Sequence, residues 1–188
     1  FALHPHQTRF RLPAEAVIPV PDAVPPARAV LAANAETALN GIWDARLVPG
    51  ERVAVIGMGL LGCLIGAFLS QRSDLAVTVS DVIGRRAEIA SHFSLTFSQP
   101  HTLADDHSVA FHSSATAAGL DAALGCLAFE GRVIELSWFG DSPVPVHLGR
   151  GFHARRLSVV SSQVGHVATP RRASMSHRDR LGAALAAL

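Results

Sequence analysis

Three glycines stand close together in the stretch GERVAVIGMGLLGCLIGAFLSQ, residues 50–71, in the order G-x-G-x-x-G at Gly57, Gly59 and Gly62. An apolar run, Arg52–Ile56, precedes them, and an apolar run of helical character, Leu60–Ser70, follows. A strand, a tight turn and a helix in that order can hold a pyrophosphate. Gly57 permits the turn. Gly59, lacking a Cβ, lets a phosphate approach the backbone, and Gly62 lets the helix lie close to the sheet. The first amides of the helix, at Leu60 and Leu61, have no intrahelical acceptor, and the helix dipole favours negative charge there. The competing reading is a close-packed strand–turn–helix that binds nothing.

A second group of residues extends this chemistry. The next β-rich run, LAVTVSD, ends in Asp81, 19 residues after Gly62. A carboxylate there can accept both ribose hydroxyls of adenosine and would repel a 2′-phosphate, which favours NAD over NADP. Arg85 and Arg86 follow at once. Arg86 could lie along that ribose, and the alternative for both arginines is a solvated first helical turn. Two later strands end in HSSAT (112–116) and LSWFG (136–140). Ligands of doubly wound sheets sit at the carboxyl ends of the strands, so Ser113, Ser114 and Ser137 are placed to line the nicotinamide half of the cofactor. The alternative is ordinary polarity where strands become loops.

The elements that must position these residues alternate. Residues 1–24 carry short extended pieces and several prolines. Residues 25–47 read as one helix with proline in its first turn. After the glycine turn come a strand at 75–81, a helix at 84–93, a short strand in SLTFS and a strand at 108–116. A helix at 117–131 is stopped by Gly131. Strands follow at 132–138, 143–148 and 155–163, then an arginine-rich loop and a final helix in SHRDRLGAALAAL. PVPVHL (143–148) reads as an edge strand, where proline is tolerated. Alternating strand and helix predicts an α/β fold, a doubly wound parallel sheet covered on both faces.

Bulk composition narrows the function classes. The 188 residues are 49% apolar, enough to bury a sizeable core, and the net charge of +1 provides no global attraction to nucleic acid or an anionic membrane. All fixed positive charge is arginine, with no lysine. Cys63 and Cys126 lie in apolar helical patterns without metal-ligand spacing and read as small buried hydrophobes of a reducing cytoplasm. No stretch reaches the roughly 18 apolar residues of a membrane span. The run TPRRASMSHRDR (169–180) has charge but no interleaved aromatics, so it reads as a solvated loop rather than a nucleic-acid surface. His4 and His6 make a pair without a third metal ligand, and no role is assigned to His153, His166 or His177.

Taken together, these motifs resemble the medium-chain dehydrogenases, the zinc-type alcohol dehydrogenase superfamily. LPAEAVIPVPDAVPP resembles the closing strand and linker of that family's chaperonin-like catalytic domain. ANAETALNGIWDA resembles its linking helix and PGERVAVIGMGLLG its cofactor turn, with the acid at Asp81 and FEGRVIELSWFG completing the series. The resemblance implies a catalytic-domain remnant at 1–24, a dinucleotide-binding Rossmann domain at 25–165, and a loop and helix at 166–188 leading back to the catalytic domain. The family's Gly-His-Glu motif and first zinc cysteine are not in this sequence. Glu36 is the nearest candidate for a remaining zinc position, its alternative being an ordinary helix residue. No metal ligand and no catalytic residue is assigned.

The function so implied is the NAD-binding portion of an oxidoreductase that moves hydride between nicotinamide and an alcohol or carbonyl substrate. Zinc belongs to the parent family. The chain by itself is expected to bind NAD without turning over an alcohol. A homodimer through Val144–Leu148 follows from the same resemblance. An S-adenosylmethionine-dependent methyltransferase and a non-catalytic nucleotide-binding remnant are the alternatives.

Overall fold

Strand β1, Arg52–Ile56, is exposed only at its first residue and is buried over the other four. Such a continuous apolar run suits a strand covered on both faces, and β1 lies at the centre of the sheet. The computed structural model describes residues 1–149 and 151–188. Beyond β1 its strands are β2 (Ala76–Ser80), β3 (Thr96–Ser98), β4 (His107–His112), β5 (Leu127–Glu135) and β6 (Ser158–Ser161). They form one six-stranded sheet in the order β3-β2-β1-β4-β5-β6. Every pairing is parallel. This is the doubly wound arrangement expected, with order reversing between β1 and β4.

Side-chain alternation divides the core into two layers. Val53 and Val55 of β1, with Val109 and Phe111 of β4, face α2 (Ala32–Ala45) and α3 (Leu60–Leu69). Ala54 and Ile56, with Ala110, face α5 (Ala117–Gly125). A third apolar cluster lies apart from the sheet. It joins Val24, Ala29 and Ala32 to Leu181 and Leu185 of α6 (His177–Ala186), with Phe1, Ile18 and Val20 packed on it.

Four segments differ most from expectation. The single helix expected at 25–47 is two, α1 (Pro26–Ala29) and α2, because Leu31 N–H bonds back only three residues, to Arg28 O at 3.0 Å. That tight turn lets Ala29 and Ala32 both enter the third cluster while Val30 points out. The helix expected to run to Gly131 stops at Gly125, and Leu127–Gly131 belongs to β5. There Leu127 pairs with His107 and an irregularity separates it from the Val109–Arg132 pair, so sheet pairing overrides a helical pattern. Residues 143–148 form no strand. Pro143 and Pro145 lack ladder donors, Leu148 N–H turns back onto Val146 O, and His147 reaches Asp121 Oδ2 at 2.6 Å. In residues 1–24 the regular element is one turn of 3-10 helix, Ala14–Ala16, with Phe1 and Ile18 bonded to each other through their backbones.

Candidate functional site

The turn between β1 and α3 takes its shape from its glycines. Gly57 has φ +97°, in the left-handed region that favours glycine, and its N–H donates to Ser80 O at 2.8 Å. A Cβ on Gly62 would stand 1.7 Å from Gly57 O, so α3 lies too close to the turn for any other residue. Gly59 is the N-cap of α3 and is exposed, and a Cβ there would meet nothing within 4 Å. The first two amides of the helix belong to Leu60 and Leu61. Their side chains point elsewhere: Leu60 is half exposed and Leu61 packs on the core.

Asp81 follows directly on β2. Its Oδ2 accepts from Met58 N–H at 2.7 Å, which ties it to the glycine turn, and its Oδ1 accepts from Ile83 N–H at 2.8 Å. A carboxylate offers about four lone-pair sites, so each oxygen keeps one for a further donor. Beside it, Ser80 Oγ and Arg86 Nε are buried without a hydrogen-bond partner. Arg86 opens α4 (Arg86–His92).

These groups share one cleft of about 360 Å³ at the carboxyl ends of β1, β2 and β4. Its apolar wall includes Ile56, Val82, Pro100 and Ala122, and its polar groups include Ser80, Asp81, Arg86 and Ser114. Ser113 also borders it, but Ser113 Oγ donates to Gly57 O at 3.1 Å and so braces the turn.

Ser137 is not on the wall of the cleft. It stands behind His112, where its Oγ accepts from Ala115 N–H at 3.1 Å and lies 3.3 Å from His112 Nδ1. The imidazole of His112 is fully buried, with Nδ1 2.7 Å from Glu135 Oε2 and Nε2 2.7 Å from Ser114 Oγ. Ser137 N–H donates to Glu135 Oε1 at 2.8 Å. Burial acts to raise the Glu135 pKa, but the hydrogen bonds from His112 and Ser137 prevail and hold it below its ordinary 4.5. A carboxylate depressed on folding stabilises the fold above its unfolded pKa and loses that contribution as pH falls through the folded value. Thermal melts of Glu135→Gln should therefore lose part of the decline below pH 4.5 that the parent shows. Melts of the two proteins that fall in parallel on acidification would refute this.

Sequence reasoning did not single out His112, Glu135, Thr116 or Gly119. The available signal was a polar residue ending each of two apolar strands, and β4–β5 pairing sets His112 directly against Glu135. Glu36 is not an ordinary surface residue of its helix. It is buried and accepts from Arg180 Nε at 2.9 Å. Cys126 is buried, which pushes its thiol up to about 12, and Cys63 is partly buried, and both are free thiols. Among the described residues no group of three or more His, Cys, Asp or Glu side chains is placed to hold a metal ion. No helix among them is long and apolar enough to cross a membrane.

No protein-family model and no curated protein matches the chain. Solved structures do. The 2R,3R-butanediol dehydrogenase of Bacillus subtilis superposes with a TM-score of 0.68 at 18% identity, over 89% of this chain and 47% of its own. A protein named as a short chain alcohol dehydrogenase from Escherichia coli, complexed with NADH, gives 0.69 at 20% identity, over 93% and 53%. A protein named as a zinc-binding dehydrogenase from Sinorhizobium meliloti, bound to NADP, gives 0.74 at 16%, over 93% and 53%. At such identities the likeness is one of fold, and the chain spans about half the length of each of these structures.

Proposed function

We propose that the chain is the NAD-binding portion of an alcohol dehydrogenase-like oxidoreductase of the medium-chain type, with residues 25–165 as its dinucleotide-binding domain. The observation that carries this reading is the open turn at Gly59, beside a carboxylate with one free lone pair on each oxygen, in a cleft where strand order reverses. The superposed dehydrogenases, which include NADH and NADP complexes, support it.

On this reading the pyrophosphate lies over Gly57 and Gly59 against the amides of Leu60 and Leu61, and Gly62 keeps α3 close. The free lone pairs of Asp81 take the ribose hydroxyls. The buried, unpartnered Ser80 Oγ and Arg86 Nε are donors to that half of the ligand. Ser113 holds the turn, Ser114 faces the cleft, and Ser137 acts through His112. Bound nicotinamide would supply the hydride chemistry, exchanged with an alcohol or carbonyl substrate, while the chain binds and orients it. The described residues offer no donor set for zinc. The segments 1–24 and 166–188, which share the third apolar cluster, are assigned to the catalytic domain's side. The two free thiols suit a reducing cytoplasm.

Calorimetry tests cofactor choice. NAD should bind at least about tenfold more tightly than NADP, a difference of ~1.4 kcal/mol. Asp81→Ala should narrow that gap, because repulsion of the 2′-phosphate and two ribose acceptors disappear together. Equal affinities in the parent protein would overturn the assignment, and heat with S-adenosylmethionine instead would favour the methyltransferase alternative.

A homodimer is part of the proposal. The sheet ends on β6, all four residues of which are exposed, and Leu148 is exposed nearby in sequence. Open edges tend to pair or be covered. Light scattering should give twice the chain mass, with Val146→Asp shifting it toward the monomer. A monomer at every concentration tried would remove the dimer from the proposal.

A further inference from the structure

The geometry points to a second chemical capability of the cleft: Ser114 is an activated nucleophile in a Glu135–His112–Ser114 array, set to take an acyl or phosphonyl group from an ester or fluoride whose leaving group departs as an anion. The proton positions follow from the acceptors. Glu135 is acceptor-only when ionised, so His112 Nδ1 carries the proton that it donates to Oε2 at 2.7 Å. His112 Nε2 is then left with its lone pair, and Ser114 O–H donates to it at 2.7 Å. Thr116 Oγ1 accepts from Gly119 N–H at 3.0 Å, leaving its own proton to point at Ser114 Oγ, 3.0 Å away. Nucleophile, base and orienting carboxylate thus stand in hydrogen-bond reach, the arrangement by which a serine is activated on unrelated folds.

Four further observations fit a nucleophile rather than a packing network. Ser114 is half-buried and borders the cleft, so its hydroxyl is presented to a space large enough for an acyl group. Ala115, the next residue, has φ +53°, a conformation uncommon outside glycine, and marks a sharp corner between β4 and α5. A Cβ on Gly119 would stand 1.9 Å from Ser114 Oγ and 2.8 Å from His112 Nε2, so the reacting atoms meet in a space that only glycine leaves open. The amides of Ala117 and Ala118 begin α5 without intrahelical acceptors, and Ala118 lines the cleft. They are donors for the oxyanion of an addition intermediate.

The step balances without a further reactant. Ser114 Oγ bonds to the carbonyl carbon or phosphorus, and its proton passes to His112 Nε2. The bond to the leaving group breaks, and that group departs with the electron pair as aryloxide or fluoride. The proton stays on His112, and Glu135 stabilises the imidazolium so formed. Because His112 is fully enclosed, it cannot protonate a poor leaving group or readily deliver water, so the adduct should accumulate rather than turn over.

The test is a fluorophosphonate probe and, in parallel, p-nitrophenyl acetate, read by intact mass and by peptide mapping. One equivalent should be incorporated, on Ser114, with a single burst of p-nitrophenolate. Ser114→Ala should abolish it. His112→Gln should slow it by about 100-fold or more, the usual contribution of a general base. Gly119→Ala should do likewise by displacing Ser114 Oγ. Circular dichroism melts identify any variant that has lost its fold, in which case Glu135→Gln takes its place and should also slow labelling. No adduct on the folded parent protein, an adduct on another serine, or a rate indifferent to these substitutions would overturn the proposal. NAD calorimetry on the same samples reads the dinucleotide assignment separately.

Discussion

Arg180→Met should lower the stability of the fold by about 3–5 kcal/mol, the range for breaking a buried ion pair from one side. Arg180 is 2% exposed on α6 and holds four acceptors at once. Its Nε donates to Glu36 Oε1 at 2.9 Å, Nη1 to Asn40 Oδ1 and His166 O, and Nη2 to Val164 O. Asn40 Oδ1 also receives Ala168 N–H at 2.9 Å. Removing the guanidinium leaves Glu36 buried without its counter-charge. It also leaves two carbonyls unpaired and frees the loop that they anchor. Replacing both partners, as in Glu36→Leu with Arg180→Met, removes the uncompensated charge, and should recover a large part of the loss. Chemical denaturation of the two single variants and the double variant is the measurement. A loss below about 1 kcal/mol for Arg180→Met, the range of an exposed pair, would mean that the network does not hold α6 against α2.

The two variants Gly62→Val and Gly59→Val should separate fold from binding. At Gly62 the new Cβ would meet Gly57 O at 1.7 Å and Gly57 C at 2.9 Å, and both are backbone atoms of a turn pinned to Ser80 and Ser113. Nothing flexible is there to yield, so the expected cost is about 3 kcal/mol or more, and the protein should melt early or fail to fold. At Gly59 the same substitution points into open space. The melting temperature should stay near the parent value, while NAD affinity falls at least about tenfold, ~1.4 kcal/mol, because the branched side chain occupies the proposed phosphate position. A Gly59→Val protein that binds NAD normally would refute the phosphate cradle. A Gly62→Val protein as stable as its parent would refute the close approach of α3 to the turn.

The sequence by itself determined the elements whose information is local. β1, the turn and α3 occupy adjacent residues, and each carries its own signal: an unbroken apolar run, three spaced glycines and a helical apolar run. The structure reproduces them within a residue, with Gly57 in the left-handed region and Gly62 at the close approach. Strand–helix alternation likewise sufficed for a parallel doubly wound sheet, because a parallel pair requires a crossover. Local signals failed where two structures suit the same residues. LAFEG continues a helical pattern as well as it begins a strand, and only pairing of Leu127 with His107 decides between them. PVPVHL alternates like a strand, yet its prolines cannot complete a ladder, and the sheet ends on β6 instead.

Only the tertiary structure could decide which polar side chains meet. Glu36 and Arg180 are 144 residues apart, and neither position shows on its own that it is buried. His112 and Glu135 are joined by the register of β4 on β5, and Ser114 reaches Nε2 only because Gly119 leaves room above it. Side-chain charge is a property of one residue and can be read from its letter. The cost of burying that charge, and the partner that offsets it, depend on distance and solvent exclusion, which exist only once the chain has folded.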